Sequence, residues 1–236
     1  MSELLEIGDR IVALARPGEQ VEVVVGRATS TEVRAYDGQV EQFASATSAG
    51  VGVRVIAGNR QGFAYAGTLD ADVMAETLAE ARDNATFATD DEWLGLAEPD
   101  GLAVPALDLY RESLTRVSTD AKIDLALELE RAVRAADPRI TGVESADYAD
   151  GVSEGAVVST TGIRTYGRET SCYVAAHCVA TDGDDTQTGF GFSVGRTLDD
   201  LDVSVAAGDA ARRATRLLGA TKPASGRVTV VLDPYV

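Results

Sequence analysis

The residues best equipped for chemistry lie between positions 172 and 202. The sequence holds one histidine, His177, and two cysteines, Cys172 and Cys178. A catalytic zinc takes three protein ligands and keeps a fourth position open for water. The segment around His177 alternates as a strand, which sets Cys172, Val174, Ala176 and Cys178 on one face and Ser171, Tyr173, Ala175 and His177 on the other. His177 and Cys178 therefore point in opposite directions and do not share a metal. The pattern predicts reduced, apolar cysteines in a core.

Gly191-Phe192-Ser193-Val194-Gly195 fits the G-x-S-x-G pattern of a nucleophile elbow, which would make Ser193 the nucleophile of a serine hydrolase. The elbow needs a parallel strand, a strained turn and an immediate helix. Here an alternating segment precedes and Arg196-Thr197-Leu198-Asp199 follows, and the only histidine lies upstream of Ser193. Glycines relieving a curved strand, with Phe190 and Phe192 on one face, account for the motif better. Asp182-Gly183-Asp184-Asp185 lacks the spacing of a calcium loop and reads as a hairpin tip. Gly58-Asn59-Arg60-Gln61-Gly62 lacks the Lys-Ser/Thr ending of a phosphate cradle and reads as a turn. Asp199, Asp200 and Asp202 stand where a helix begins, where negative charge offsets the macrodipole. The Asn84-Ala85-Thr86 sequon falls near a helix end and matters only in a secreted chain. No catalytic, cofactor-binding or metal-ligating residue is assigned.

The elements that would hold these groups make an α+β pattern. Leu4, Leu5, Ile7, Ile11, Leu14 and Ala15 define a first helix that Pro17 and Gly18 stop. From Gln20 to Gly67, four or five antiparallel strands are expected around Asp37-Gly38 and Gly58-Asn59. Asp70 opens a helix to about Asn84 whose buried face carries Val73, Thr77, Leu78 and Ala81. Residues 86–117 lose periodicity and read as a connector pinned to the surface by scattered apolar side chains, Trp93, Leu94, Leu96, Leu102 and Leu109. A helix from Ser118–Asp120 to Ala136 buries Ile123, Leu127, Leu129 and Val133. A second strand series follows, with turns expected at Asp150-Gly151, Thr161-Gly162 and Asp182-Gly183. A last helix runs from about Asp202 to Leu218 with Gly219 as its cap.

Both halves share the order helix, antiparallel strands, helix. Thr47-Ser48 is echoed by Thr170-Ser171, and Gly62-Phe63 with Thr68-Leu69-Asp70 by Gly189-Phe190 with Thr197-Leu198-Asp199. The chain thus divides into a first α+β unit (1–85), a connector (86–117), a second α+β unit (118–222) and an incipient further domain (223–236). That last stretch, RVTVVLDPYV, starts an apolar strand and stops, which leads us to expect a truncated C-terminal domain.

The formal charge of −17 repels phosphate, and no Lys/Arg stripe offers counterion release, so direct nucleic-acid binding is not expected. No apolar run reaches the roughly 20 residues that span a bilayer, and the acidic, amphipathic start is no secretory leader. A cytoplasmic location without membrane contact is the expectation.

Three runs carry a family resemblance along nearly the whole chain: Asp37–Glu41 leading into Ser48–Val55 and Gly58–Ala64; Asp137–Ile140 before a strand; and Ala210–Ala220 followed by Val228–Pro234. In these the sequence resembles the N-terminal domain of the TldD/PmbA family. The resemblance implies an intracellular zinc peptidase of two related subunits that acts on unstructured peptides and is associated with DNA gyrase modulation. Only the TldD type carries the HExxxH zinc motif. Leu232-Asp233-Pro234-Tyr235 looks like the TldE/PmbA version. The resemblance thus implies a non-catalytic TldE/PmbA-like subunit, with zinc held by a TldD-like partner and unfolded peptides as substrates. Its alternatives are the N-terminal part of a zinc-bearing TldD-like subunit, a stand-alone protein-binding module of the gyrase-modulator kind, and the Ser193 hydrolase. The implied metal ligands lie beyond Val236.

Overall fold

The structure is a computed structural model and describes residues 2–102 and 105–233. Helix α1 (Glu3–Val12) leads into strands β1 (Gln20–Tyr36), β2 (Gln39–Ala57) and β3 (Arg60–Ala66), then helix α2 (Ala71–Phe87). A short helix α3 (Glu112–Thr115) lies in the connector. Helix α4 (Thr119–Ala136), strands β4 (Ile140–Ser159), β5 (Arg164–Asp182) and β6 (Asp185–Gly195) and helix α5 (Val203–Thr215) complete the order. The six strands form one antiparallel sheet ordered β3-β2-β1-β4-β5-β6. The second half thus repeats the first about a pseudo-twofold axis between β1 and β4, with α4 in the place of α1 and α5 in that of α2.

The strands are fewer and longer than their sequence suggests. Between Gln20 and Gly67 three strands stand where four or five are expected, because Gly26–Ser30 and Ala44–Ala49 pair with each other and β4 continues alongside. Asp150-Gly151 is likewise no turn but the middle of β4, paired with β1 and β5. Apolar alternation fades in these stretches because the helices that bury the sheet sit toward its two ends. Where no helix lies overhead, small and polar residues suffice.

The tips follow their turn chemistry. Asp37 (φ 51°) with Gly38 (φ 73°), and Gly58 (φ 55°) with Asn59 (φ 59°), adopt the two positive φ values of a type I′ hairpin. Glu130 of α4, a buried carboxylate, accepts the Gly38 N–H at 2.9 Å while its other oxygen takes Arg134. This ties the first hairpin to the second half, and no periodic pattern would have placed a glutamate on the buried side of that helix.

The burial parity of all six strands puts the helices on one sheet face. One cluster joins Leu4, Ile7 and Ile11 of α1 and Leu78 and Ala81 of α2 to Val21, Val23, Val25, Val53 and Val55. The other joins Leu129 and Val133 of α4 and Ala206, Ala210 and Ala214 of α5 to Tyr148, Cys172, Val174 and Cys178. The expected helix faces are met in part. On α2, Met74 rather than Val73 is fully buried, and on α4 Ala126 is buried where Ile123 and Leu127 only pack from the side. Ser118 caps α4 through the Ala121 N–H (3.3 Å). In the connector, Leu96 and Leu114 are buried, whereas Trp93 and Leu102 stand exposed. Arg227–Leu232, expected as a strand, forms no ladder among the described residues, and its valines are exposed. Pro234 and Tyr235 lie outside the described residues.

Candidate functional site

His177 and Cys178 lie on opposite faces of β5, as their parity requires. Cys178 is buried, and the exposed His177 ring stacks on Phe190 of β6 with centroids 5.9 Å apart. Cys172 donates to Thr197 O at 3.3 Å, and burial pushes its thiol up to about 11. Burial raises Cys178 as well. Both sulfurs are core groups. Among the described residues, no three His, Cys, Asp or Glu side chains gather where they could hold a metal.

Ser193 faces the helix side of β6, opposite to His177, so the two cannot form a nucleophile–base pair. Its Oγ instead accepts the Asp202 N–H at 2.9 Å, at the start of α5. Asp202 in turn accepts Val205 N–H (3.0 Å) as the N-cap of that helix. Asp200 takes the N–H groups of Arg196 and Thr197, both at 2.9 Å, and these bonds lower its carboxyl below the usual range. The hairpin tip at Gly183 is closed by structure of its own: Asp185 accepts Gly219 N–H at 2.6 Å and the Gln187 amide at 2.8 Å. Asn84 lies within α2, and its amide donates to Phe63 O at 3.0 Å.

Two polar clusters escape the sequence. Lys122 of α4 meets Asp150 at 2.6 Å and Thr31 Oγ1 at 3.1 Å, while Tyr148 OH donates to Asp150 at 2.7 Å. Lys122 and Asp150 keep only 12% and 8% side-chain exposure, so their charges are neutralised by each other rather than by water. Burial, then Asp150, raises the Tyr148 phenol and keeps it protonated. Farther along the same face, Glu154 binds both Arg27 and Tyr166 OH. Tyr148 and Asp150 alternate as same-face strand residues, which was the available signal.

The sheet face away from the helices is open. Phe63 and Tyr65 stack there (centroids 6.4 Å), as do Phe190 and Phe192 (6.3 Å), with Tyr173 and Val194 alongside. Cross-strand ion pairs Arg54–Glu22 and Arg34–Asp147, each at 2.7 Å, lie between the aromatic groups. This arrangement offers backbone and apolar surface rather than a nucleophile or a general acid.

Residues 21–85 match PmbA/TldA metallopeptidase domain 1, and residues 112–218 match the PmbA/TldA metallopeptidase central domain. The chain belongs to the PmbA/TldA metallopeptidase family. It is 28% identical over 220 residues to metalloprotease PmbA of Escherichia coli O157:H7, covering 89% of this chain and 47% of that protein. It is 25% identical over 234 residues to metalloprotease MJ0996 of Methanocaldococcus jannaschii, covering 96% and 50%. The chain spans about half the length of these relatives. Its fold is that of a proposed modulator of a DNA gyrase from Thermotoga maritima (TM-score 0.77, 22% identity, 94% of this chain and 50% of that one). TldE of Thermococcus kodakarensis shares it too (TM-score 0.71, 19% identity, 89% and 46%). The family name implies metal chemistry, and the described residues of this chain do not fit a metal centre: the sole imidazole and its adjacent thiol are divided by the sheet. No helix is long and apolar enough to cross a membrane.

Proposed function

We propose that this chain is part of a non-catalytic TldE/PmbA-like subunit of a cytoplasmic zinc peptidase. In this reading it pairs with a zinc-bearing TldD-like subunit and helps wall a chamber in which unstructured peptides are held and cut. The observation that carries the reading is the match of both PmbA/TldA domains together with the likeness to metalloprotease PmbA and to TldE; the described residues add open sheet surface to it. An open antiparallel sheet suits peptide handling, since main-chain hydrogen bonds hold an extended chain with little regard to its sequence.

The test is co-purification. Tagged protein expressed with a zinc-bearing family member should elute as a complex whose zinc belongs to the partner. A metal-free chain that stays apart from such a partner defeats the proposal. Reading the residues that follow Val236 separates the catalytic alternative, since an HExxxH helix there assigns the chain to the TldD type.

A further inference from the structure

Each outer edge of the sheet is met at one carbonyl by a helix side chain, and the two contacts match. At the β3 edge, Asn84 of α2 donates to Phe63 O at 3.0 Å; at the β6 edge, Arg213 of α5 donates to Phe190 O at 2.9 Å. Covering an edge with a helix is a common defence against unwanted strand pairing.

The inner strands outrun their neighbours and create two further edges. β3 covers β2 only from Val51 to Ala57, and β6 covers β5 only from Cys172 to Asp182. In β5 the uncovered stretch is met by the chain itself: Thr170 N–H donates to Leu109 O at 3.0 Å, Arg111 N–H donates to Thr170 Oγ1 at 3.0 Å, and Arg168 lies 3.9 Å over the Tyr110 ring. An extended segment of the connector thus lies along that edge.

Among the described residues, the pseudo-equivalent stretch of β2 has no such cover. The pair Val55↔Gly62 corresponds to Cys178↔Gly189, which aligns Thr47 with Thr170. The Ala57↔Arg60 pair that closes the two-residue hairpin turns the N–H and C=O groups of odd-numbered β2 residues toward β3. The β1–β2 register runs unshifted from Ile56 down to Gln42, so Phe43, Ser45, Thr47 and Ala49 aim their backbone groups outward. No described residue outside the strands donates to or accepts from them. The slot ends at the register shift opposite Arg34/Ala35 on one side and at Ala66 of β3 on the other.

We propose that this β2 edge, Phe43–Ala49, is a strand-addition site for an extended peptide of about seven residues. The inference rests on the peptide-handling role proposed above and locates it. Three features select the occupant. No charged side chain stands between Gln42 and Val53, so small and neutral residues admit varied side chains in a chain whose charge of −17 disfavours acidic peptides. A wide, mostly apolar cleft of about 700 Å³, lined by Val24, Ala49, Gly52, Phe63 and Tyr65 together with Arg27 and Glu154, adjoins the closed end of the slot and offers apolar side chains a surface. A second copy is disfavoured by topology. In antiparallel pairing through the same residues, the copy's β3, which lies in line with its slot, would run into the hairpin tip at Asp37-Gly38.

The test is fluorescence anisotropy with the isolated chain in about 0.3 M salt, where surface attraction is screened. The probe is a fluorescein-labelled Lys-Val-Lys-Phe-Lys-Val-Lys peptide. Its comparator is the same peptide with alternate amides N-methylated on the pairing side, equal in charge but unable to complete a ladder. Saturable binding of the first and at least ten-fold weaker binding of the second is the expected result. Ser45→Pro removes one outward donor and leaves the β1 ladder intact, so it should weaken binding at least ten-fold while circular dichroism is unchanged. Equal binding of the two peptides, no saturation up to about 1 mM, or full affinity in a folded Ser45→Pro protein overturns the site. Dimerisation that Ser45→Pro abolishes would assign the slot to a second copy and overturn the peptide. Because the partner subunit is absent from this assay, its outcome is separate from that of co-purification.

Discussion

Gly62 and Gly189 stand at matching places in the two halves and meet the same obstacle. A methyl group on Gly62 would lie 1.9 Å from Ala81 O and 2.4 Å from Ala85 N; on Gly189 it would lie 2.2 Å from Ala210 O and 2.4 Å from Ala214 N. Each glycine lets a helix rest its backbone on an edge strand, with alanines one turn apart as the facing residues. That close approach brings Asn84 and Arg213 within reach of the edge carbonyls of Phe63 and Phe190.

Gly189→Ala should therefore push α5 off β6. Overpacking against backbone costs about 3 kcal/mol, which corresponds to a fall in Tm of roughly 6–12 °C for a chain of this size. Gly67→Ala, where nothing lies within 4 Å, is the control and should stay within about 0.5 kcal/mol. Thermal melts of the two variants decide it.

Lys122→Met leaves Asp150 charged and buried between Tyr148 and Thr31. The expected loss is about 3–5 kcal/mol in urea unfolding. Adding Asp150→Asn removes the stranded charge and should return a large part of that loss. A double variant no more stable than Lys122→Met would show that packing, not charge, dominates there.

Glu19 accepts two bonds from Arg82, at 2.9 and 2.8 Å, and this pairing holds its carboxyl below the ordinary value of 4.5. The folded value lies below the unfolded one, so the stabilisation is complete above about 4.5 and disappears as pH falls through the folded value. Glu19→Gln should lower Tm at pH 7, and the gap from the unaltered protein should narrow between pH 5 and pH 3. A gap that stays constant with pH would mean that the carboxylate charge contributes nothing.

Cys172 and Cys178 should resist a disulfide-exchange reagent such as DTNB at pH 8 in the folded protein, because burial raises both thiols and shields them from solvent. Both should react promptly in denaturant. Rapid labelling under native conditions would place one of them at a mobile surface.

The sequence by itself determined a good deal. The spacing of apolar residues gave the helices, with starts near Asp70, Ser118 and Asp202, and positive-φ chemistry gave the tips at Asp37-Gly38 and Gly58-Asn59; that Ser118 and Asp202 cap through their side chains while Asp70 does not came from the structure. Parity alone separated His177 from Cys178, because a strand's side chains alternate whatever it packs against. The ordered echoes of Thr47-Ser48 and Gly62-Phe63 marked the repeat. Tertiary structure decided what depends on neighbours distant in the chain. That β1 and β4 join the halves into one sheet, that Asp150 lies mid-strand beside Lys122, and that Glu130 belongs under Gly38 are long-range pairings with no local periodicity. The same holds for edges: Thr47 and Thr170 read alike in sequence, and the path of Leu109–Arg111 covers Thr170, whereas among the described residues Thr47 stays open.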